Sequence, residues 1–353
     1  MRTLIVAPNW IGDALMAQPL LTSLKRADPA QSIVALAPSW VAPVLAAMPE
    51  VDDVIATDLA HGALQWSARR ALAKTIASGS FDRAFVLPNS FKSGLIPWLA
   101  RIPERIGYRG EARYGLINRR LNGPAADLAR SGPMVGRYAA LAARVGIDVP
   151  SPLPQPRLMV DASTVVDVRR RFDLEADAEL IALCPGAEYG PAKRWPAEHF
   201  ATLATMLLAE RPMAHVLLLG GAGDRAVSAA IMADVAARQG DLARLHDLCG
   251  RTDLSQAIAL IAAASSVVSN DSGLMHVAAA LGRPQVALFG SSDPRHTPPL
   301  STQAKTLWLH LDCSPCFERT CPLGHLDCLV GIAPQRVRDS MQNTTPSRSS
   351  AAA

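Results

Sequence analysis

Val267-Val-Ser-Asn-Asp-Ser-Gly-Leu-Met-His-Val-Ala-Ala-Ala-Leu281, followed closely by Gln285-Val-Ala-Leu-Phe289, decides the fold class. Val267–Ser269 is a short aliphatic run of the kind that fills a strand buried on both faces. Asp271, Ser272 and Gly273 are residue types that end a strand and open a helix. Gly273–Leu281 then reads as a helix of small apolar residues, and Gln285–Phe289 as a further strand. Strand, tight turn, helix and strand make one unit of a parallel sheet.

The same alternation spreads outward in both directions. Toward the C-terminal half the strands are expected at Leu180–Cys184, His215–Leu219 and Leu245–Leu248, with helices at Ala197–Glu210, Arg225–Arg238 and Ser255–Ala264. In the first half, strands are expected at Thr3–Ala7, Ser32–Leu36, Asp53–Ala56 and Ala84–Leu87. Helices at Asp13–Arg26, Val41–Ala47, Leu64–Ala77 and Phe91–Ala100 lie between and after them. Two such halves make two doubly wound α/β domains. The seam is written in proline, Val149-Pro-Ser-Pro-Leu-Pro-Gln-Pro156, which suits neither helix nor central strand. Domains are therefore expected at 1–155 and 156–342, with 343–353 a disordered tail.

Composition fits this reading. Of 353 residues, 49% are hydrophobic and 19% charged, which supports a large core and excludes a disordered chain. The longest apolar run, Ala257–Val268, is short of the ~20 residues a membrane span needs and holds two serines. Pro8, Asn9, Gly12 and Asp13 break the apolar start, so no signal peptide is expected and the cytoplasm is the expected compartment. Cysteines there are thiols or metal ligands before disulfides.

The net charge of +4 is uneven. Residues 1–150 hold 17 Lys/Arg against 11 Asp/Glu, and residues 151–353 hold 18 against 20. Nine arginines and three acids fall between Arg101 and Arg144. This stretch is either a solvated face or a patch for an anionic partner. Nucleic acid is not expected, because the chain has five lysines, no basic helix and no interleaved aromatic platform.

In open α/β sheets, ligands bind beyond the carboxyl ends of the strands, so those loops are the candidate site. The first, Pro8-Asn-Trp-Ile-Gly-Asp13, has one glycine where a dinucleotide fingerprint needs three, and no phosphate-loop motif occurs elsewhere. No cofactor is expected. Asp13 is either a helix cap or a general base. The second loop is Pro185-Gly-Ala-Glu-Tyr-Gly-Pro-Ala-Lys-Arg-Trp-Pro196. Its Lys193 is either a phosphate-binding ammonium or a solvated lysine, and Glu188 beside it is a further substrate-binding candidate. The third is the Asn270–His276 turn. The helix opening at Gly273 offers free N–H groups and a positive dipole end to an anion. Ser272 and His276 share a face, and Asp271 is either a cap or a ligand to a sugar hydroxyl. Gly220-Gly-Ala-Gly-Asp224 is consistent with nucleotide approach, and Gly290–Pro299 could close over a ligand. Cys313-x2-Cys316-x4-Cys321-x6-Cys328, with His325 inside, is compact enough for a metal but matches no standard spacing, so reduced thiols are expected there. Cys184 and Cys249 read as core residues.

The motifs Pro185–Pro196 and Asn270–Leu281 resemble those of the ADP-heptose:lipopolysaccharide heptosyltransferases, glycosyltransferase family 9. With Asn9-Trp-Ile-Gly-Asp13, the resemblance is to the heptosyltransferase II branch and runs from residue 1 to about 340. It implies a GT-B fold, two Rossmann-like domains facing across a cleft, with an N-terminal acceptor-binding and a C-terminal nucleotide-sugar-binding domain. It implies inverting transfer of L-glycero-D-manno-heptose from ADP-heptose to the first heptose of the anionic lipopolysaccharide inner core, at the cytosolic side of the inner membrane, with a peripheral membrane contact. It implies no metal at the reaction centre, Asp13 as base, and Lys193 with the Asp271-Ser272-Gly273 turn on the donor phosphates. The alternatives are heptosyltransferase I, a nucleotide-sugar epimerase on the same fold, or a non-catalytic binder.

Overall fold

A run such as Thr3-Leu-Ile-Val6 has no polar alternation, so it suits a strand covered by helices on both faces. In the computed structural model, which describes residues 1–59, 63–122 and 132–342, Thr3, Leu4 and Ile5 are fully buried. They belong to β1 (Arg2–Val6). With β2 (Ser32–Pro38), β3 (Asp53–Thr57), β4 (Arg83–Val86), β5 (Glu104–Tyr108) and β6 (Arg119–Leu121), it forms a six-stranded sheet of order β3-β2-β1-β4-β5-β6. Every pairing in it is parallel. The chain divides into two units, the first ending at Met159 and the second beginning at Val160. The division falls just past the proline run because Gln18, 1% exposed, grips Arg157. Its Nε2 donates to Arg157 O at 2.7 Å and its Oε1 accepts from Arg157 N at 2.8 Å.

The second unit repeats the plan. β7 (Glu179–Cys184), β8 (Ala214–Leu218), β9 (Leu245–Asp247), β10 (Ala264–Asn270), β11 (Gln285–Leu288) and β12 (Ala304–Leu307) lie in the order β12-β11-β10-β7-β8-β9, again all parallel. Counted within the unit, this is the order of the first sheet, the Rossmann order. Each sheet reverses its winding between its first and fourth strand, β1/β4 in one and β7/β10 in the other. Ligands bind outside the carboxyl ends of the strands at that point. The core on one face of the second sheet is built from Ile181, Leu183, Phe200, Leu207 and Leu218 with Trp195.

Some elements differ from the sequence expectation. The helix expected over Asp13–Arg26 is two helices, Ile11–Met16 and Gln18–Ala27, which meet at Ala17. Pro19 stands in the first turn of the second, where its missing N–H costs nothing. Strands β5, β6 and β12 were not expected. They are charged and short, as strands at or near a sheet edge tend to be. Helices Met134–Ala139 and Ala162–Arg171 were also unexpected. The tail 343–353, expected to be disordered, lies outside the described residues.

Part of the arginine-rich stretch is structural. Arg113 is 1% exposed. Arg105 donates to the carbonyls of Leu116, Ile102 and Gly115, and Arg119 pairs with Glu104 at 2.6 Å. Arg109 and Arg120 flank the exposed ring of Tyr114 and are the part that suits an anionic partner.

Gln18→Ala leaves the Arg157 N–H and C=O without their partner. The loss is expected to be about 1–3 kcal/mol, read as a lower urea midpoint of the first unit. An unchanged midpoint would mean that water replaces both bonds.

Candidate functional site

At the switch point of the second sheet, two loops leave neighbouring strands: 185–196 after β7 and 271–272 after β10. Asn270, the last residue of β10, is fully buried. Its Nδ2 donates to Pro185 O at 2.7 Å and its Oδ1 accepts from Trp195 N at 3.0 Å. One carboxamide thus closes the long loop at both ends. Trp195 anchors the far side, 1% exposed, with Nε1 donating to Ile332 O at 2.9 Å.

Within the closed loop, residues 191–193 form a single 3-10 turn ending at Lys193. The Lys193 ammonium lies 2.5 Å from Asp271 Oδ2 and 4.9 Å from the centre of the Tyr189 ring. Ser292 donates to the same carboxylate oxygen at 2.5 Å. Lys193 is 18% and Asp271 6% exposed at the side chain, so this is a half-buried ion pair and not a solvated loop lysine. The structure also corrects Asp271 as a cap. The cap position of helix Gly273–Ala280 is Ser272, with no side-chain cap bond, and the Asp271 carboxylate is spent on Lys193 and Ser292. The helix therefore opens without a side-chain cap on its first-turn amides, an arrangement that suits an anion.

His276 lies inside the helix, buried. Burial pushes its pKa down to about 4; Asp271 nearby opposes the shift and Lys193 adds to it. The imidazole is therefore neutral near pH 7 and supplies no positive charge. Ser272 Oγ lies 3.2 Å from Ser269 Oγ. Lys193, Asp271, Ser272, Gly273 and His276 thus gather at one place. Glu188 is solvent-exposed on the loop, and Lys193 pairs with Asp271 instead of with it. Sequence reasoning missed Asn270 and Ser292, whose roles come from partners distant in the chain.

The glycines at 186, 220 and 221 serve a carboxylate of the protein itself. A Cβ on Gly186 would lie 2.2 Å from Asp224 Oδ2, and Gly221 N donates to that oxygen at 2.9 Å. The Gly220–Asp224 turn is thus folded around the Asp224 carboxylate. Asp224 stands 3.7 Å from Arg194, whose side chain also donates to Ala187 O.

In the first unit, Asp13 is the third residue of helix Ile11–Met16. Trp10 occupies the cap position and makes no side-chain cap bond, so Asp13 is not the cap. It is half-buried. The phenol of Tyr138 is held far above its usual range, first by burial and then by the Asp13 charge. A pocket of about 370 Å³ opens at the carboxyl ends of the same sheet, lined by Asn9, Trp40, Arg69, Asn89, Lys92 and Glu111 among others. Arg113 holds its wall. The buried guanidinium donates to Pro88 O at 2.6 Å, Tyr108 O at 2.7 Å and Asn89 Oδ1 at 3.2 Å. Burial lowers its pKa to about 10. Gly110, at φ +54°, passes so close that a Cβ would meet Asn89 O at 2.3 Å and Arg113 Nε at 2.7 Å.

The model of glycosyltransferase family 9 (heptosyltransferase) matches residues 69–327. The chain is 44% identical to lipopolysaccharide heptosyltransferase 2 of Salmonella typhimurium, over 97% of this chain and 98% of that one. It is 43% identical to the protein of the same name from Escherichia coli, over 97% of each. The solved structure of E. coli ADP-heptose lps heptosyltransferase II superposes with a TM-score of 0.84 at 40% identity, over 98% of each chain. The α/β, GT-B reading is borne out in its two Rossmann-like sheets.

His276 makes a pH prediction. Its folded pKa lies below the unfolded value, so the unfolded chain binds the extra proton first as pH falls. Its contribution to stability is full above pH ~6.5 and is lost progressively toward pH ~4. The melting temperature is expected to fall across that window, and to fall less in His276→Gln once both are referenced to pH 7.5. Parallel curves would place the proton uptake elsewhere.

Proposed function

The chain belongs to glycosyltransferase family 9, and on that premise we propose that it moves L-glycero-D-manno-heptose from ADP-heptose to the first heptose of the lipopolysaccharide inner core, with inversion. The observation that carries this reading is the switch point of the second unit. There a pre-oriented ammonium and an uncapped helix N-terminus converge where an anionic leaving group needs them.

The second unit takes the donor. Asp271 and Ser292 hold the Lys193 ammonium in place before the diphosphate arrives, so little reorganisation is left for the reaction. Lys193 and the first amides of helix Gly273–Ala280 then meet the phosphates. Neutral His276 shapes the floor, and Ser272 offers a hydroxyl at its edge. The first unit takes the acceptor. Its pocket carries Lys92 and Arg69 for an anionic sugar, and Trp40, 51% exposed, offers an aromatic face to a sugar ring.

Asp13 is the base. Its carboxylate takes the proton of the acceptor hydroxyl as that oxygen bonds to C1 of the heptose. The bond from C1 to the ADP oxygen breaks on the opposite face, and ADP leaves with the electron pair. The configuration at C1 inverts. No metal takes part in this step. Among the described residues no helix is long and apolar enough to cross a membrane. The place of work is the cytosolic side of the inner membrane, where a peripheral contact brings the chain to its lipid-borne acceptor.

The direct test is transfer of radiolabelled heptose from ADP-heptose to a core acceptor carrying one heptose; absence of transfer to it would overturn the reading. Asp13→Asn is expected to lower kcat ~10²–10⁴-fold while ADP-heptose affinity holds. Near-normal turnover in a folded variant would remove Asp13 as the base.

Lys193→Met is expected to weaken ADP-heptose binding and slow transfer, with Lys193→Arg only partly restoring both. The double variant Lys193→Met/Asp271→Asn separates the effect of an orphaned carboxylate from loss of the ammonium. Calorimetry showing donor affinity unchanged in Lys193→Met would exclude the phosphate role.

A further inference from the structure

Four of the six cysteines stand in the segment 313–328, and the reaction above uses none of them. Cys313, Cys316, Cys321 and Cys328 line a single cavity of about 20 Å³ together with Ser291 and His325. Such a volume holds one guest of water or ion size. Ser291 is 1% exposed, and its hydroxyl finds no hydrogen-bond partner. A buried polar group left so is costly unless a guest meets it. Gly324 N donates to the carbonyl of Cys321 at 3.2 Å and closes the turn that carries this thiol. Gly324, at φ +77°, gives the turn its left-handed residue. His325 is engaged otherwise. Its Nδ1 accepts from Asp327 N at 3.0 Å, which leaves the four sulfurs as the donor set.

We propose that Cys313, Cys316, Cys321 and Cys328 bind one tetrahedral zinc or iron ion, and that this ion sets the segment that buttresses the Lys193 loop. Thiolate quartets select these metals. Each thiol gives its proton to the buffer as its sulfur–metal bond forms, and the ion stays divalent throughout. Among the described residues, no three His, Cys, Asp or Glu side chains are arranged to hold a metal ion as they stand. The sulfurs therefore close onto the ion as it binds. Three of the four are only partly buried, which leaves the segment room to do so.

The link to the donor loop is direct. Between Cys316 and Cys321, Phe317 O accepts from the Tyr189 hydroxyl at 2.7 Å and Arg319 O accepts from Ala192 N at 3.0 Å. Only glycine fits at 190, where a Cβ would lie 2.4 Å from Arg319 O. On its other side the segment bonds Ser291 O through Phe317 N at 2.7 Å, and Gly290 O through Ser314 Oγ at 2.6 Å. Metal loss is thus transmitted to the residues beside Lys193. This second half of the proposal rests on the donor reading of that loop.

The test is elemental analysis of the untagged full chain, expressed with zinc and iron supplied. About one equivalent of zinc or iron per chain is expected. Cys313→Ser and Cys316→Ser, made separately, are expected to lower metal affinity tenfold or more, and Cys184→Ser, altering a core thiol outside the cluster, to retain the metal. Protein stripped with a chelator and refilled with cobalt is expected to show a thiolate-to-cobalt absorption band. A chain that carries no metal and gives no such band overturns the site, as does a disulfide among these four cysteines in protein kept under reductant. Donor KM is expected to rise several-fold in Cys316→Ser with acceptor KM little changed. An unchanged donor KM in a metal-free variant overturns the coupling and leaves the metal site standing. A metal-loaded chain that transfers no heptose counts against the proposed function and not against the site.

Discussion

The carboxamide of Asn270 sits fully buried at the end of β10 and ties Pro185 O and Trp195 N, the two ends of the loop after β7. The charged groups of the second unit's site are placed through that bond pair. Without it the loop would leave a buried carbonyl and a buried N–H unpaired, at about 1–3 kcal/mol each. With it, Lys193 is carried to Asp271 and the helix N-terminus is left open. A polar side chain in a core is tolerated because both of its ends are met, one as donor and one as acceptor.

The two units solve the problem of a buried cation differently. Lys193 meets a carboxylate at 2.5 Å. Removing one partner of a fully buried pair costs roughly 3–5 kcal/mol, and at 18% exposure Lys193 lies below that limit. Arg113 meets carbonyl and amide oxygens and no carboxylate, and its pKa falls to about 10. It stays charged near neutral pH while ordering the wall of the first unit's pocket. The first arrangement suits a site where an ammonium is to be shared with an arriving anion. The second suits a permanent scaffold.

The loops at the second switch point are braced from behind as well. The segment 313–328 touches residues 189–192 on one side and 290–291 on the other, and Ser292, next along that chain, holds Asp271. Two of the groups that set the Lys193 ammonium therefore hang from one short, cysteine-rich stretch. Order in that stretch is order at the site.

The sequence by itself determined the alternation of strand and helix, because aliphatic runs buried on both faces and turn residues at their ends are local signals. It also singled out the loops of the candidate site, since Lys193, Asp271 and Ser272 follow strands that the pattern already shows. Charged or short strands such as β6 and β12 stayed hidden, because an edge strand needs few apolar residues. Tertiary structure alone decided the division of labour. Asp271 is an ion-pair partner and not a cap because residues 78 positions apart meet. Arg113 is a buried brace and not part of a surface patch because Gly107 and Gly110 make room for it. His276 is neutral because its surroundings exclude water. Each outcome depends on desolvation and on partners distant in the chain, which local sequence does not record.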